Sequence, residues 1–300
     1  MESALGKLIR IENSKGLELC GIYFYDARNK ITIAHIHGNY GNFYRNPFIS
    51  IFSKIFLENG INFLSINNSG HDGLYEGFRH GVLEYAGGAI SDFNESYHDI
   101  ESIINYAEHL NQKIILQGHS LGCDKILNYL IKSNKIYDFI LLSPVDSFCV
   151  QKEWIHPETI KEQVCRINQI NDSMQFDWLP LQEYGAKSSY NHWTYHIPVT
   201  KKAFLSIVEG AAFTYLNLEQ NVDFSIDGNC ITYIGEKDEL LTSTSNEMFD
   251  YLKTHIPKLT KIKGLMASHD IGSVANDVAS QIVKWLSRLY AFDINTNTLE

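Results

Sequence analysis

The stretch KIILQGHSLGCDKILNYL, residues 113–130, constrains this chain more than any other. Ile114, Ile115 and Leu116 form an unbroken apolar run of the kind a short buried strand requires, whereas Leu121, Ile126, Leu127 and Leu130 recur at the spacing of one helix face. Between the two periods lies only Gly118-His119-Ser120-Leu121-Gly122. A strand that turns into a helix within so few residues needs a sharp corner, and a glycine on each side of Ser120 removes the side chains that would clash there. The serine is pushed clear of the sheet, and the N–H groups of the following helix point toward any negative charge that develops beside it.

The remaining chain supplies more strands of the same buried type. Residues 8–12, 17–25, 31–36, 61–67, 139–144, 229–235 and 259–267 read as strands, and helices are expected from Pro47 to the Asn59-Gly60 stop, at 247–255 and at 274–289. A further helix follows Asp92, with Glu95 at the capping-box position and Tyr97, Ile100, Ile103, Ile104 and Ala107 on its apolar face. Residues from Asn68 to about Gly88 read as a long polar, Gly-rich loop. Alternating strands and helices imply an α/β fold with a mainly parallel central sheet and helices on both faces.

One segment breaks the rhythm. Residues 145–227 show no convincing buried strand and hold three of the four tryptophans, Trp154, Trp178 and Trp193. The chain therefore divides into a core of residues 1–144 and 228–300 and an inserted, mostly helical cap of residues 145–227, placed over the carboxyl edge of the sheet where open α/β sheets bind ligands.

Composition narrows the function classes. A net charge of −10 with no Lys/Arg-rich block disfavours nucleic acid and anionic membrane surfaces as partners. The opening MESALGKLIRIENS lacks the apolar core of a secretory signal, and no apolar stretch is long enough to span a bilayer, so a cytoplasmic location is expected. Five scattered cysteines without a CxxC pair fit reduced, packed thiols in such a compartment. No cofactor and no metal are expected; His71 and Asp72 in NNSGHDG read as part of a Gly-rich turn, with no HxxxH-like pair beside them.

Taken in order, the HG loop HIHGNYGNF, the elbow QGHSLG, an acid after a late strand in YIGEKDEL and a histidine in ASHDIG resemble the α/β-hydrolase superfamily over nearly the whole chain. Within it, HGNYGNFY, GHSLGCDKILNYL and ILLSPVD are most similar to capped serine esterases of the feruloyl-esterase and siderophore-esterase type. The resemblance implies Ser120 as nucleophile, His269 as general base and then acid, and Asp238 as the carboxylate that orients the imidazole. It also implies an oxyanion hole made by the backbone N–H of Leu121 and one N–H of the HG loop, from Asn39 or Tyr40. Asp238 has competitors: Asp146 in SPVD follows another strand, and Asp270 beside His269 suits a helix cap.

The expected reaction is cleavage of a small to medium amphipathic carboxylic ester, aromatic ones included, through an acyl-enzyme. His119 beside the nucleophile and Trp178, Tyr190 and Trp193 in the cap are the expected substrate contacts, because rings with polar handles suit such a ligand. An acyltransferase or thioesterase would use the same triad, and a non-catalytic ligand-binding module would keep the same fold.

Overall fold

The computed structural model describes residues 6–110, 112–144, 165, 168–169, 176–180, 196–210, 224–238, 240–241, 243–262 and 267–290. Its centre is an eight-stranded sheet. In chain order the strands and helices are β1 (Gly6–Glu12), β2 (Glu18–Phe24), β3 (Ile31–Ile36), α1 (Phe48–Glu58), β4 (Ile61–Ile66), β5 (Tyr75–Arg79), β6 (Val82–Ala86), α2 (Glu95–Glu108), β7 (Lys113–His119), α3 (Leu121–Ser133) and β8 (Asp138–Leu142). There follow β9 (Phe176–Pro180), β10 (His196–Thr200), α4 (Lys201–Gly210), β11 (Cys230–Tyr233), α5 (Ser245–His255), β12 (Leu259–Lys261), a 3-10 turn (Ile271–Val274) and α6 (Ala275–Tyr290).

The sheet runs β1-β2-β4-β3-β7-β8-β11-β12. The β1/β2 and β2/β4 pairs are antiparallel, and every later pair is parallel. Strands β4 and β8 are buried at every position, which is why their sequences, mostly apolar, do not alternate with a period of two. One face packs Ile100, Ile103 and Ile104 of α2, Ile126, Leu127 and Leu130 of α3, and Met248 and Leu252 of α5. The opposite face packs Phe48, Phe52 and Phe56 of α1 against Val278, Ile282 and Leu286 of α6. The helices stop where the sequence says they should. Asn59-Gly60 ends α1 with Gly60 at φ 73°, and Thr244 and Glu247 form a capping box on α5.

Four expectations need correction. The stretch to Gly88 is not a plain loop: β5 and β6 form a hairpin paired from Tyr75↔Ala86 to Arg79↔Val82. The segment 145–227 is not without strands, since β9 and β10 pair as a separate antiparallel ribbon ahead of α4. Asp92 and Glu95 form no capping box; Asp92 Oδ1 accepts from the Asn94 N–H at 2.9 Å, and Glu95 turns to Arg79 at 3.3 Å. Finally, β12 ends at Lys261, with residues 263–266 of the expected longer strand outside the described residues.

Candidate active site

Ser120 sits between the end of β7 and the first residue of α3 with φ 54° and ψ −130°. A non-glycine residue in that region carries about 1–3 kcal/mol of backbone strain, which the surroundings must hold in place. Here the Ser120 N–H donates to the Leu142 carbonyl of β8 at 3.0 Å, and the Cys123 N–H donates back to the Ser120 carbonyl at 2.8 Å. The flanking glycines are needed for close approach. A Cβ on Gly118 would meet Cys123 N and Gly122 at 2.6 Å, and one on Gly122 would strike the Ile36 carbonyl oxygen of β3. Cys123 is fully buried and its thiol is pushed well up by desolvation, so it packs the elbow as an inert thiol.

Asp238 stands in the turn after β11, where its N–H reaches Gly235 O at 3.3 Å. Its buried carboxylate accepts from the Leu240 N–H at 3.0 Å and meets His269 Nδ1 at 3.0 and 3.1 Å. A carboxylate on Nδ1 sets the ring so that Nε2 becomes the working nitrogen. The neighbouring Asp270 does what a cap does, accepting from the Gly272 N–H at 3.0 Å. Asp146 lies outside the described residues.

His119 links the two halves. It lies one residue before Ser120, its Nε2 is 3.3 Å from the His269 carbonyl, and the two rings are 5.2 Å apart. Phe48 covers its other side at 5.1 Å, and burial drives its pKa well below the ordinary value. The ring is therefore a neutral donor that ties the His269 loop to the elbow. His119, expected as a substrate contact, is buried at the end of β7.

The HG loop closes the third side. A Cβ on Gly38 would lie 2.8 Å from Ser120 Cβ, which measures how tightly this loop crosses the nucleophile. His37 Nδ1 donates to the Gly38 carbonyl at 2.9 Å and its Nε2 accepts from the Asn68 N–H at 3.0 Å, so one ring nitrogen holds the HG loop and the other joins it to the loop after β4. Asn67 and Asp72 brace the loop further, taking the Phe43 N–H at 2.9 Å and Asn42 Nδ2 at 2.7 Å. His71 pairs with Asp72 at 2.8 Å and stacks on Tyr75. Among the described residues no group of three His, Cys, Asp or Glu is arranged to hold a metal ion, and no helix is long and apolar enough to cross a membrane.

A shallow cleft opens beside the elbow, lined by Asn39 and Leu121 together with Asn68, Ser69, Phe93 and Ile207. Tyr40 takes φ 51° and its ring lies against Gly73 and Gly88. Trp178 falls on β9, paired with Pro198, while Tyr190 and Trp193 lie outside the described residues. Sequence reasoning missed Lys125, which also lines the cleft. No break in an apolar face marks it in the sequence, because its neighbours on that side of α3 are Asp124 and Asn128, away from the core-packing Ile126, Leu127 and Leu130.

Comparison with known proteins agrees with this architecture. A family model described as a protein of unknown function, DUF1749, matches residues 82–214, a span that includes the elbow. No curated protein sequence matches the chain. Among solved structures, the α/β hydrolase GrgF of Penicillium sp. sh18 is similar at TM-score 0.66 and 15% identity, over 96% of this chain and 100% of that one. Est1E of Butyrivibrio proteoclasticus, solved with ferulic acid bound, is similar at TM-score 0.60 and 13% identity, over 95% and 100%. The esterase Pf2001 of Pyrococcus furiosus is similar at TM-score 0.58 and 16% identity, over 95% and 93%. Likeness across nearly the full length of each, around a mainly parallel sheet that turns into a helix at Ser120, means that this chain has the α/β-hydrolase fold.

Proposed function

We propose that the chain is a serine hydrolase that cleaves a carboxylic ester through an acyl-enzyme, with Ser120, His269 and Asp238 as its triad. The observation that carries the reading is the Asp238–His269 pair at 3.0 Å, whose histidine is tied through its carbonyl to His119, the residue before a strained serine. The reading gathers three residues far apart in sequence at the carboxyl end of one sheet, each on a segment that follows a strand. The esterases among the similar structures support the same class of reaction.

In this mechanism Ser120 Oγ attacks the ester carbonyl as its proton passes to His269 Nε2. Asp238 stabilises the imidazolium and is not itself protonated. The carbonyl oxygen becomes an oxyanion that accepts from the backbone N–H of Leu121 and from one N–H of the HG loop, Asn39 or Tyr40. Collapse expels the alcohol, which takes the proton from His269. Water then repeats the sequence on the acyl-enzyme and releases the acid.

The substrate is a small to medium amphipathic ester. Phe93, Leu121 and Ile207 give the cleft an apolar side, and Asn68, Ser69 and Ser91 give it a polar one. The segment 145–227 acts as the cap: the Thr200 N–H donates to Ala89 O and Ser206 Oγ accepts from the Phe93 N–H, each at 2.8 Å, which brings Ile207 of α4 to the cleft wall. Cys20, Cys123, Cys165 and Cys230 are all free thiols, in keeping with a reducing cytoplasmic setting.

Hydrolysis of short-chain p-nitrophenyl esters tests the reading. The expected result is a burst followed by slower turnover, with both lost in Ser120→Ala. Turnover by Ser120→Ala equal to that of the native chain would refute it.

A further inference from the structure

Lys125 is a lysine almost wholly removed from water. It is 4% exposed, on the buried face of α3, and its stem leans toward the amino end of that helix, as helical side chains do. A cation there meets the positive end of the helix dipole and loses its hydration, so its presence costs stability. Burial depresses its pKa from 10.5 to about 8, opposed by attraction from Asp99 and Asp124.

Its three protons go to three acceptors. Nζ donates to the His37 carbonyl at 3.2 Å and to Asn68 Oδ1 at 2.9 Å, and makes a longer contact with the Gly38 carbonyl at 3.5 Å. The Gly38 carbonyl also accepts from His37 Nδ1 at 2.9 Å and from the Gly41 N–H at 3.3 Å. That carbonyl belongs to the same peptide unit as the Asn39 N–H. Donors and a cation gathered on the oxygen of an amide draw electron density through it and make its N–H a stronger donor. Asn68 Nδ2, buried in the wall of the same cleft, has no hydrogen-bond partner among the described residues.

We propose that Lys125 is a positioning residue for the oxyanion hole, its ammonium fixing the HG loop and polarising the Gly38–Asn39 peptide so that the Asn39 N–H is the second oxyanion donor. The inference rests on the acyl-enzyme reading above. It selects Asn39 over Tyr40, which contributes neither the polarised peptide nor a wall of the cleft. A field that strengthens as the oxyanion forms lowers the barrier without tightening the bound substrate.

The groups facing the ammonium are Asp99 from α2, Asp124 from α3, and His37 and His71 from the loops after β3 and β4. Both histidines are held below their ordinary value by burial, so they are neutral near pH 8. Deprotonation of Lys125 therefore removes the cation from this group.

The test is p-nitrophenyl acetate hydrolysis from pH 6 to 10 by the native chain, Lys125→Met and Lys125→Gln, with fluorophosphonate labelling of Ser120 and thermal melting alongside. The expected result is kcat lowered roughly 10- to 100-fold in both variants with KM within about twofold. The melting temperature at pH 7 is equal or higher, and a fall in native kcat above pH 8 is missing from the variants. A kcat within about threefold of native, in variants that fold and label, overturns the role of Lys125 and leaves the acyl-enzyme reading intact. Should neither variant fold, a native kcat that stays flat from pH 7 to 10 overturns it. A native chain that neither labels nor turns over overturns the underlying reading instead.

Discussion

At the scale of single residues, Asp238 carries the sharpest consequence. Its carboxylate meets His269 Nδ1 at 3.0 Å, and Asp238→Asn keeps the shape while losing the charge and favouring the wrong imidazole tautomer. The expected outcome is a fall in kcat of about 10³- to 10⁴-fold on a p-nitrophenyl ester with an unchanged circular-dichroism spectrum. Turnover within a few-fold of native would move the acid elsewhere. The elbow at Ser120 and the placing of Asp238 beside His269 were legible in the sequence because their motifs follow apolar strands in the order this fold uses. Lys125 and Asn68 were not, because their roles arise only where the loops after β3 and β4 cross the start of α3. Lys125 also has a thermodynamic signature. With its pKa lowered from 10.5 to about 8, the unfolded chain binds more protons than the folded one between those values, so its contribution to stability rises with pH across that window. The slope is about 1.4 kcal/mol per pH unit, and urea titrations should find it in the native chain and not in Lys125→Met.

Among elements, the strand-elbow-helix unit of β7 and α3 was readable because its hydrophobic period changes from strand to helix around two glycines. Gly122 shows how little freedom remains there: a methyl group would collide with the Ile36 carbonyl of β3, a backbone atom that cannot step aside. Gly122→Ala should therefore cost several kcal/mol or prevent folding, measured by chemical denaturation; a loss below about 1 kcal/mol would mean that the elbow is looser than described. The hairpin β5–β6 escaped notice because only Gly77 and Ala86 of its strands are buried, leaving no apolar face to betray a period of two. Its signal lay in the turn: His80 and Gly81 take φ 50° and 74°, the positive-φ pair that joins two antiparallel strands through two residues. The ribbon β9–β10 was hidden for another reason. Each strand contains a proline, Pro180 or Pro198, which argues against a central sheet position and is tolerated in a two-stranded edge ribbon.

Across the whole molecule, the site lies over a core that holds neutral imidazoles. His35, His37 and His119 are buried, with His35 pushed down to about 3 and the others well below 6.5, in each case chiefly by desolvation. The unfolded chain protonates these rings as pH falls through 6.5 while the folded chain keeps them neutral, so the folded state loses stability as pH falls below that value. Asp99, raised by burial, works in the opposite sense over its own range. Denaturation at a series of pH values should show a steep fall below pH 6; a flat profile from 7 to 4 would contradict this picture of the core. The same burial keeps His119 a neutral donor to the His269 loop throughout the working range.

The central claim is that Ser120 is made nucleophilic by His269. Mass spectrometry of the chain after exposure to a fluorophosphonate tests it directly. The account predicts one phosphonyl adduct, on the peptide containing Ser120, formed rapidly by the native chain and at least about a hundredfold more slowly by His269→Ala. An adduct on another residue, or equal labelling rates in the two proteins, would contradict it.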